Sequence, residues 1–200
     1  MDWKPSAEPA PGPRRPPKPV KVVIAGGFGV GKTTAVSAIS EIRPLTTEAA
    51  ITSVASGVDA TAKVPGKTTT TVALDFGCIT IDDGLKLYLF GTPGQDRFGF
   101  MWNDISQGAL GALVIVDARR VDDCYPAIDY FEQTGVPFVV AVNLFDGVLT
   151  SDLSELRWAL AVNEDVPLVT FDARDKLSVR DALLCVLQRT LSRARVRRPT

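Results

Sequence analysis

The tightest constraint on this chain is Gly26-Gly27-Phe28-Gly29-Val30-Gly31-Lys32-Thr33, set between a β-branched run, Val20 to Ala25, and a helix-forming stretch that opens at Lys32. Its glycines permit backbone angles that turn successive N–H groups into one concavity, and such a concavity binds phosphate oxygens. A helix starting directly behind it adds the partial positive charge of its N-terminus. At the end of the G-x-x-x-x-G-K-[ST] pattern, Lys32 is placed to reach β- and γ-phosphates and the Thr33 hydroxyl to ligate Mg²⁺. Gly27, Phe28, Gly29, Val30, Gly31, Lys32, Thr33 and Thr34 are therefore expected to line a bound nucleotide. A strand, a glycine loop and a helix also begin a βα unit, so the motif selects an α/β fold together with its chemistry.

The rest of the chain continues that alternation. Lys32 to Ile42 reads as a helix stopped before Pro44. Residues 45–67 lack periodicity and read as a long surface loop, a feature uncommon unless functional. Thr71 to Ile81 and Leu85 to Phe90 read as strands joined by the turn Asp82-Asp83-Gly84. Ala112 to Val116 and Phe138 to Val142 are continuous apolar runs, as parallel strands covered on both faces require. Val166 to Phe171 is a sixth strand, and helices fill 97–107, 122–134, 151–162 and 178–194. Ser178 and Asp181 stand at capping-box spacing at the start of the last helix. The expected architecture is a doubly wound, six-stranded, mainly parallel sheet with one antiparallel edge strand.

Seven prolines between Pro5 and Pro19 mark residues 1–19 as a disordered tail. The expected domain spans 20–192, and 193–200 form a basic tail. Arg189, Arg193, Arg195, Arg197 and Arg198 gather near the C-terminus with no acid among residues 186–200, while the whole chain carries a net charge of −1. The body is thus acidic, which argues against general nucleic-acid binding, and the basic end could touch an anionic membrane surface. No apolar run is long enough to cross a bilayer and none near Met1 resembles a signal peptide, so a cytoplasmic protein is expected. Cys78, Cys124 and Cys185 read as reduced thiols, and the absence of histidine excludes a histidine base or ligand.

Asn143-Leu144-Phe145-Asp146, directly after the apolar run that ends at Val142, bears on the base. A carboxylate accepts both the ring N–H and the exocyclic amine of guanine, a pattern adenine does not offer. Here the chain resembles small GTPases, whose guanine motif is Asn-Lys-x-Asp, with Leu144 in the lysine position. Gly91-Thr92-Pro93-Gly94-Gln95 resembles the same family's Asp-x-x-Gly-Gln segment. The resemblance implies that the Gly94 N–H meets the γ-phosphate and that Gln95 orients the attacking water. Gly91 stands where the family has its aspartate. Asp75 is the substitute carboxylate facing Mg²⁺, and Thr71, with Thr70 second, is the threonine that the first switch loop supplies to the metal. Asp172-Ala173-Arg174 resembles the family's Ser-Ala-Lys loop, in which the Ala173 N–H meets guanine O6.

The Gly-x-Pro-Gly-Gln segment further resembles the prokaryotic MglA-like branch of Ras-like GTPases, and within it the conservon-type (CvnD-like) ATP/GTP-binding proteins, over residues 20–192. What this implies is a cytoplasmic GTP/GDP switch with Mg²⁺, with Gln95, Lys32 and Thr71 in catalysis. Its implied partners are a roadblock/LC7-type activator and a sensor-kinase-like membrane complex. Phe28 occupies a phosphate-loop position where many Ras-like proteins carry glycine, and no arginine lies between Arg43 and Arg97. Both departures predict slow intrinsic hydrolysis. Arg97, Arg119 and Arg120 are the body's candidates for a charge-stabilising role, and each reads first as a surface ion-pair residue. An ATP-using P-loop enzyme and a catalytically silent nucleotide-binding module stay open as rival readings.

Overall fold

The structure is a computed structural model that describes residues 16–43, 45–52, 69–94, 96–149 and 152–196. Strand β1 (Lys18–Ala25) leads through the glycine loop into helix α1 (Lys32–Ile39). After β2 (Leu45–Thr52) come the hairpin β3 (Thr69–Asp82) and β4 (Leu85–Gly91), closed by a turn in which the Gly84 N–H donates to Asp82 Oδ1. A short 3-10 segment, Asp96–Met101, runs into α2 (Trp102–Ser106), then β5 (Gly111–Val116) and α3 (Tyr125–Thr134). The chain ends with β6 (Phe138–Asn143), α4 (Leu153–Ala159), β7 (Leu168–Phe171) and α5 (Lys176–Val196).

One sheet in the order β2-β3-β4-β1-β5-β6-β7 joins all seven strands. β4, β1, β5, β6 and β7 are mutually parallel, and β3 runs antiparallel to both β4 and β2. The six expected strands are therefore present in a mainly parallel sheet with one antiparallel strand. That strand does not form the edge, because Leu45–Thr52, read from sequence as loop, pairs along β3 from Leu45 opposite Phe76 to Thr52 opposite Thr69. Its Thr-Thr-Glu-Ala-Ala stretch lacks the apolar alternation that announces a strand. Backbone pairing to a ready edge supplies what side-chain pattern does not. The remainder of the expected loop, 53–67, lies outside the described residues.

Every residue of β5 and β6 is buried. Successive strand side chains point to opposite faces, so both faces of the sheet centre are covered. α1 and α5 pack against one another on one face, which leaves the other to α3, whose Ala127, Ile128 and Phe131 are buried. There Trp102, Tyr130, Phe131 and Phe138 form a chain of aromatic contacts with centroids 5.4, 5.0 and 6.1 Å apart. Trp102 is thus a core residue, while Trp158 is exposed.

Helix boundaries differ from expectation at several places: 97–107 opens as a 3-10 segment, α3 begins at Tyr125, α4 spans only Leu153–Ala159, and α1 and α5 are shifted by identifiable contacts. α1 stops at Ile39, three residues early, because Ser40 takes an extended conformation and its Oγ accepts from the Cys78 N–H. α5 opens at Lys176, and its cap is Asp175, whose carboxylate accepts from the N–H groups of Leu177 and Ser178. The Ser178 hydroxyl instead accepts from the Asp172 N–H. Among the described residues no helix is long and apolar enough to cross a membrane.

Candidate functional site

All five parallel strands end at one edge of the sheet. Strand order reverses about β1, which has β4 on one side and β5 on the other, and this is where doubly wound sheets open a crevice at their carboxyl ends. Into that edge run the glycine loop after β1, Thr92-Pro93-Gly94 after β4, Asp117 after β5, Asn143 at the end of β6 and Asp172-Ala173 after β7.

The glycine loop has the backbone that its sequence demands. Gly26, Gly29 and Gly31 take φ values of 130°, 73° and 109°, in the left-handed range that disfavours side chains. Gly27 needs its glycine for space: a Cβ there would lie 2.6 Å from the Cβ of Asp123. Phe28 has no such constraint and its side chain is largely exposed. Gly94 lies against the loop, since a Cβ at that position would stand 2.7 Å from Lys32 Nζ and 2.8 Å from the Gly27 carbonyl oxygen. The expected neighbours Gly94 and Lys32 are therefore brought together.

Lys32 is buried, and its Nζ donates to the carbonyl oxygens of Gly26 at 2.9 Å and Gly27 at 2.5 Å. Burial lowers its pKa to about 8, against the opposing pull of Asp75 and Cys124. Thr33 Oγ1 donates to Asp75 Oδ2 at 2.6 Å, so the substitute carboxylate does meet the motif hydroxyl. Gly91 makes this approach possible, because a Cβ there would come within 2.9 Å of the Asp75 Cβ.

This donor set suits a small hard cation. A hydroxyl that gives its proton to a carboxylate turns its lone pairs outward, and magnesium takes such oxygen ligands while keeping several waters. Among the described residues no group of three or more His, Cys, Asp or Glu side chains is placed to hold a metal ion, so a metal here would rely on Thr33, phosphate oxygens and water, with Asp75 behind them. The Thr71 side chain lies outside the described residues, and only its place along the strand is given. β3 is continuous from Thr69, and its rise of about 3.4 Å per residue puts roughly 13 Å of strand between Thr71 and Asp75.

On the base side, Asn143 is buried and engaged through both its amide nitrogen and its amide oxygen. Its Nδ2 donates to the Val30 carbonyl at 3.0 Å, and its Oδ1 accepts from the Ala173 N–H at 3.1 Å. One side chain thereby joins three loops that are far apart in sequence. The Ala173 N–H, expected to meet guanine O6, is instead engaged with Asn143. Arg174 folds onto Asp172, with Nε and Nη2 at 3.0 and 2.8 Å from its carboxylate. Leu144 and Phe145 are partly buried, and the backbone of Asp146 lies in a 3-10 turn, Phe145–Gly147. Gln95 and Thr68 lie outside the described residues, as do the side chains of Thr70, Thr71, Arg97 and Asp146.

Sequence reasoning missed Asp117 entirely. It is 1% exposed, and Arg119 grips its carboxylate through Nε and Nη2, both at 2.9 Å. The available signal was an acid placed directly after the wholly apolar run Ala112 to Val116. Cys124, 0% exposed, lies beneath the loop with its thiol toward the Ile115 carbonyl, and burial raises its pKa.

Comparison with known proteins gives the arrangement a family. Residues 24–190 match the model of the family described as "Conserved hypothetical ATP binding protein". An uncharacterised protein of Methanocaldococcus jannaschii is 34% identical over 129 residues, 64% of this chain and 71% of that protein. The Ras-related protein RABD1 of Arabidopsis thaliana is 29% identical over 126 residues, 58% of this chain and 62% of RABD1. Among solved structures, the G domain of the T. maritima FeoB iron transporter aligns with a TM-score of 0.58 at 18% identity, covering 86% of this chain and 98% of that domain. An S. thermophilus NFeoB mutant bound to GDP aligns with a TM-score of 0.59 at 20% identity, over 86% of this chain and 62% of that one. With its glycine loop, buried lysine and crevice at the strand ends, this chain is a nucleotide-binding P-loop protein with the fold of a GTPase G domain, and it belongs to the family of conserved hypothetical ATP binding proteins.

Proposed function

We propose that the protein is a GTP-dependent molecular switch that hydrolyses GTP slowly with Mg²⁺, of the MglA-like, conservon type. Asn143 carries this reading: it knits the loop holding Asp146 to the phosphate loop at Val30 and to the loop of Ala173. A nucleotide whose phosphates lie on the glycine loop then has its base beside Leu144-Phe145-Asp146. The Asp146 carboxylate accepts from the two guanine N–H groups. Lys32 exchanges its two loop carbonyls for phosphate oxygens, and the loop N–H groups spread the remaining charge. Thr33, oriented by Asp75, would hold Mg²⁺, which would supply charge neutralisation to the phosphates. Gly94 offers its N–H to the γ-phosphate, and Gln95 positions water.

Phe28 and the lack of an arginine in the first switch support slow turnover without an activator. A roadblock-type partner supplies what is missing, a sensor-kinase-like membrane complex lies upstream, and the basic end beyond Arg193 contacts the inner membrane face. The domain limits proposed are 20–192, with tails on either side.

The family description, ATP binding, favours the second reading, an adenine nucleotide in the same site. The nucleotide that copurifies with the protein separates the two. GDP or GTP is expected, with ATP failing to compete at a hundredfold excess and with Asp146→Ala abolishing the preference. Copurifying ADP, or equal competition by ATP, sinks the guanine reading.

A further inference from the structure

Leu144 stands where the resembled guanine motif has a lysine and gives the base-side loop no side-chain donor toward the phosphate loop, yet the two loops are connected through the turn after β5. β5 lies between β1 and β6, so Asp117 at its carboxyl end stands between the loops that follow those strands. We infer that Asp117, Arg119 and Arg120 form a positioning clamp that holds the phosphate loop and the base-side loop in register for nucleotide, replacing the missing lysine. The clamp rests on nucleotide being bound across these two loops, whichever base it carries.

The clamp begins with a buried charge. An ionised carboxylate out of water must be paired, and Asp117 is paired on every side. It accepts from the Arg119 backbone N–H at 3.0 Å, from Arg119 Nε and Nη2 at 2.9 Å each, and faces Arg120 Nε at 3.5 Å. These contacts fix both guanidinium groups. Arg119 uses its in-plane donors on Asp117, which leaves its face to stack on the Phe145 ring, 4.3 Å from the centroid. Arg120 turns the other way. Its Nη2 donates to the Phe28 carbonyl at 3.2 Å and its Nη1 pairs with Asp123 Oδ2 at 3.2 Å.

Asp123 is also the residue against which Gly27 packs. Arg120 therefore grips the outer side of the phosphate loop, and Arg119 the outer side of the base loop, from one shared carboxylate. Asn143 provides the inner tie between the same loops. A mere surface ion pair would not place its acid at 1% exposure with its arginines splayed onto two separate loops.

The test compares Arg119→Ala, Arg120→Ala and a control, Arg180→Ala, whose arginine pairs with Asp181 on α5 and, among the described residues, touches neither loop. Dissociation of fluorescent GDP and ADP is followed by stopped flow, and amide exchange is measured by mass spectrometry on the nucleotide-free full chain. Loss of one charge-assisted contact at a half-exposed arginine predicts dissociation faster by about five- to tenfold in Arg119→Ala and Arg120→Ala. Arg180→Ala is expected to match wild type. Leu144→Lys, added to Arg120→Ala, is expected to bring the rate back to within about twofold of wild type by restoring the lysine tie. Unchanged rates, or a rise equal to that of the control, overturn the clamp. If wild type holds neither nucleotide, the proposed switch fails by itself and exchange decides the clamp. Arg119→Ala must then speed exchange in residues 26–31 as well as 144–149, and an effect confined to 144–149 overturns it.

Discussion

At the residue scale, Lys32 is the clearest case of burial setting chemistry. Its pKa in the nucleotide-free protein is lowered to about 8 because the ammonium sits out of water against two loop carbonyls. Between about 8 and the unperturbed 10.5, the folded protein binds fewer protons than the unfolded chain, so this group makes stability rise with pH across that window. Phosphate reverses the balance by favouring the charged form. Nucleotide binding at pH 9 is therefore expected to take up about one proton, and at pH 7 almost none, as read by calorimetry in two buffers of different ionisation enthalpy. Equal heats in the two buffers at pH 9 would show that Lys32 does not reach the phosphates. The phosphate loop was legible from sequence because each of its demands is local: a left-handed φ, a close approach, a lysine at fixed spacing. The Ala173 amide was not, because what engages it comes from another strand, and Asp117 was not, because its partners Arg119 and Arg120 follow it in one turn that matches no motif. Nothing within Asp172-Ala173-Arg174 says that Asn143, thirty positions earlier, will take the Ala173 N–H.

At the scale of elements, the informative departure is β2. A polar, threonine-rich segment pairs with β3 over eight residues, from Leu45 to Thr52, and carries Thr71 away from Thr33 and Asp75. If Thr71 is the switch threonine, the triphosphate state must release the N-terminal part of β3 from β2 so that this segment can turn back toward the metal. The pairing is well suited to release, since β2 is an edge strand with a single partner. Amides of residues 69–73 are expected to exchange at least several-fold differently with GDP and with a non-hydrolysable GTP analogue, while those of β5 and β6 stay protected in both. Identical exchange at 69–73 would remove Thr71 from the metal site and this segment from the switch. Apolar runs made β5 and β6 readable, since full burial on both faces leaves a continuous signature. β2 left none, because backbone pairing along an edge can form without an apolar pattern.

At the scale of the molecule, the site has no scaffold apart from the fold itself. Its contacts come from loops after β1, β4, β5, β6 and β7, and Asn143 links Val30 to Ala173, residues far apart along the chain. A ligand that bridges these loops opposes global unfolding and not one local opening. Mass action then gives its effect: at a hundred times Kd a ligand adds about 2.7 kcal/mol to the stability of the state that binds it. In a domain of this size each kcal/mol moves the melting temperature by about 2–4 °C, so saturating guanine nucleotide with Mg²⁺ should raise it by about 5–10 °C. Adenine nucleotide at the same concentration should give a clearly smaller rise, and chelation of the metal should remove part of the guanine effect, since Thr33 and Asp75 then face the phosphates without the cation between them. Lys32→Ala should lose the shift altogether while melting no lower than wild type without ligand, because burying that ammonium costs the free protein stability. A full shift in the Lys32 variant would mean that nucleotide is held elsewhere, and the crevice at the strand ends would lose its assignment.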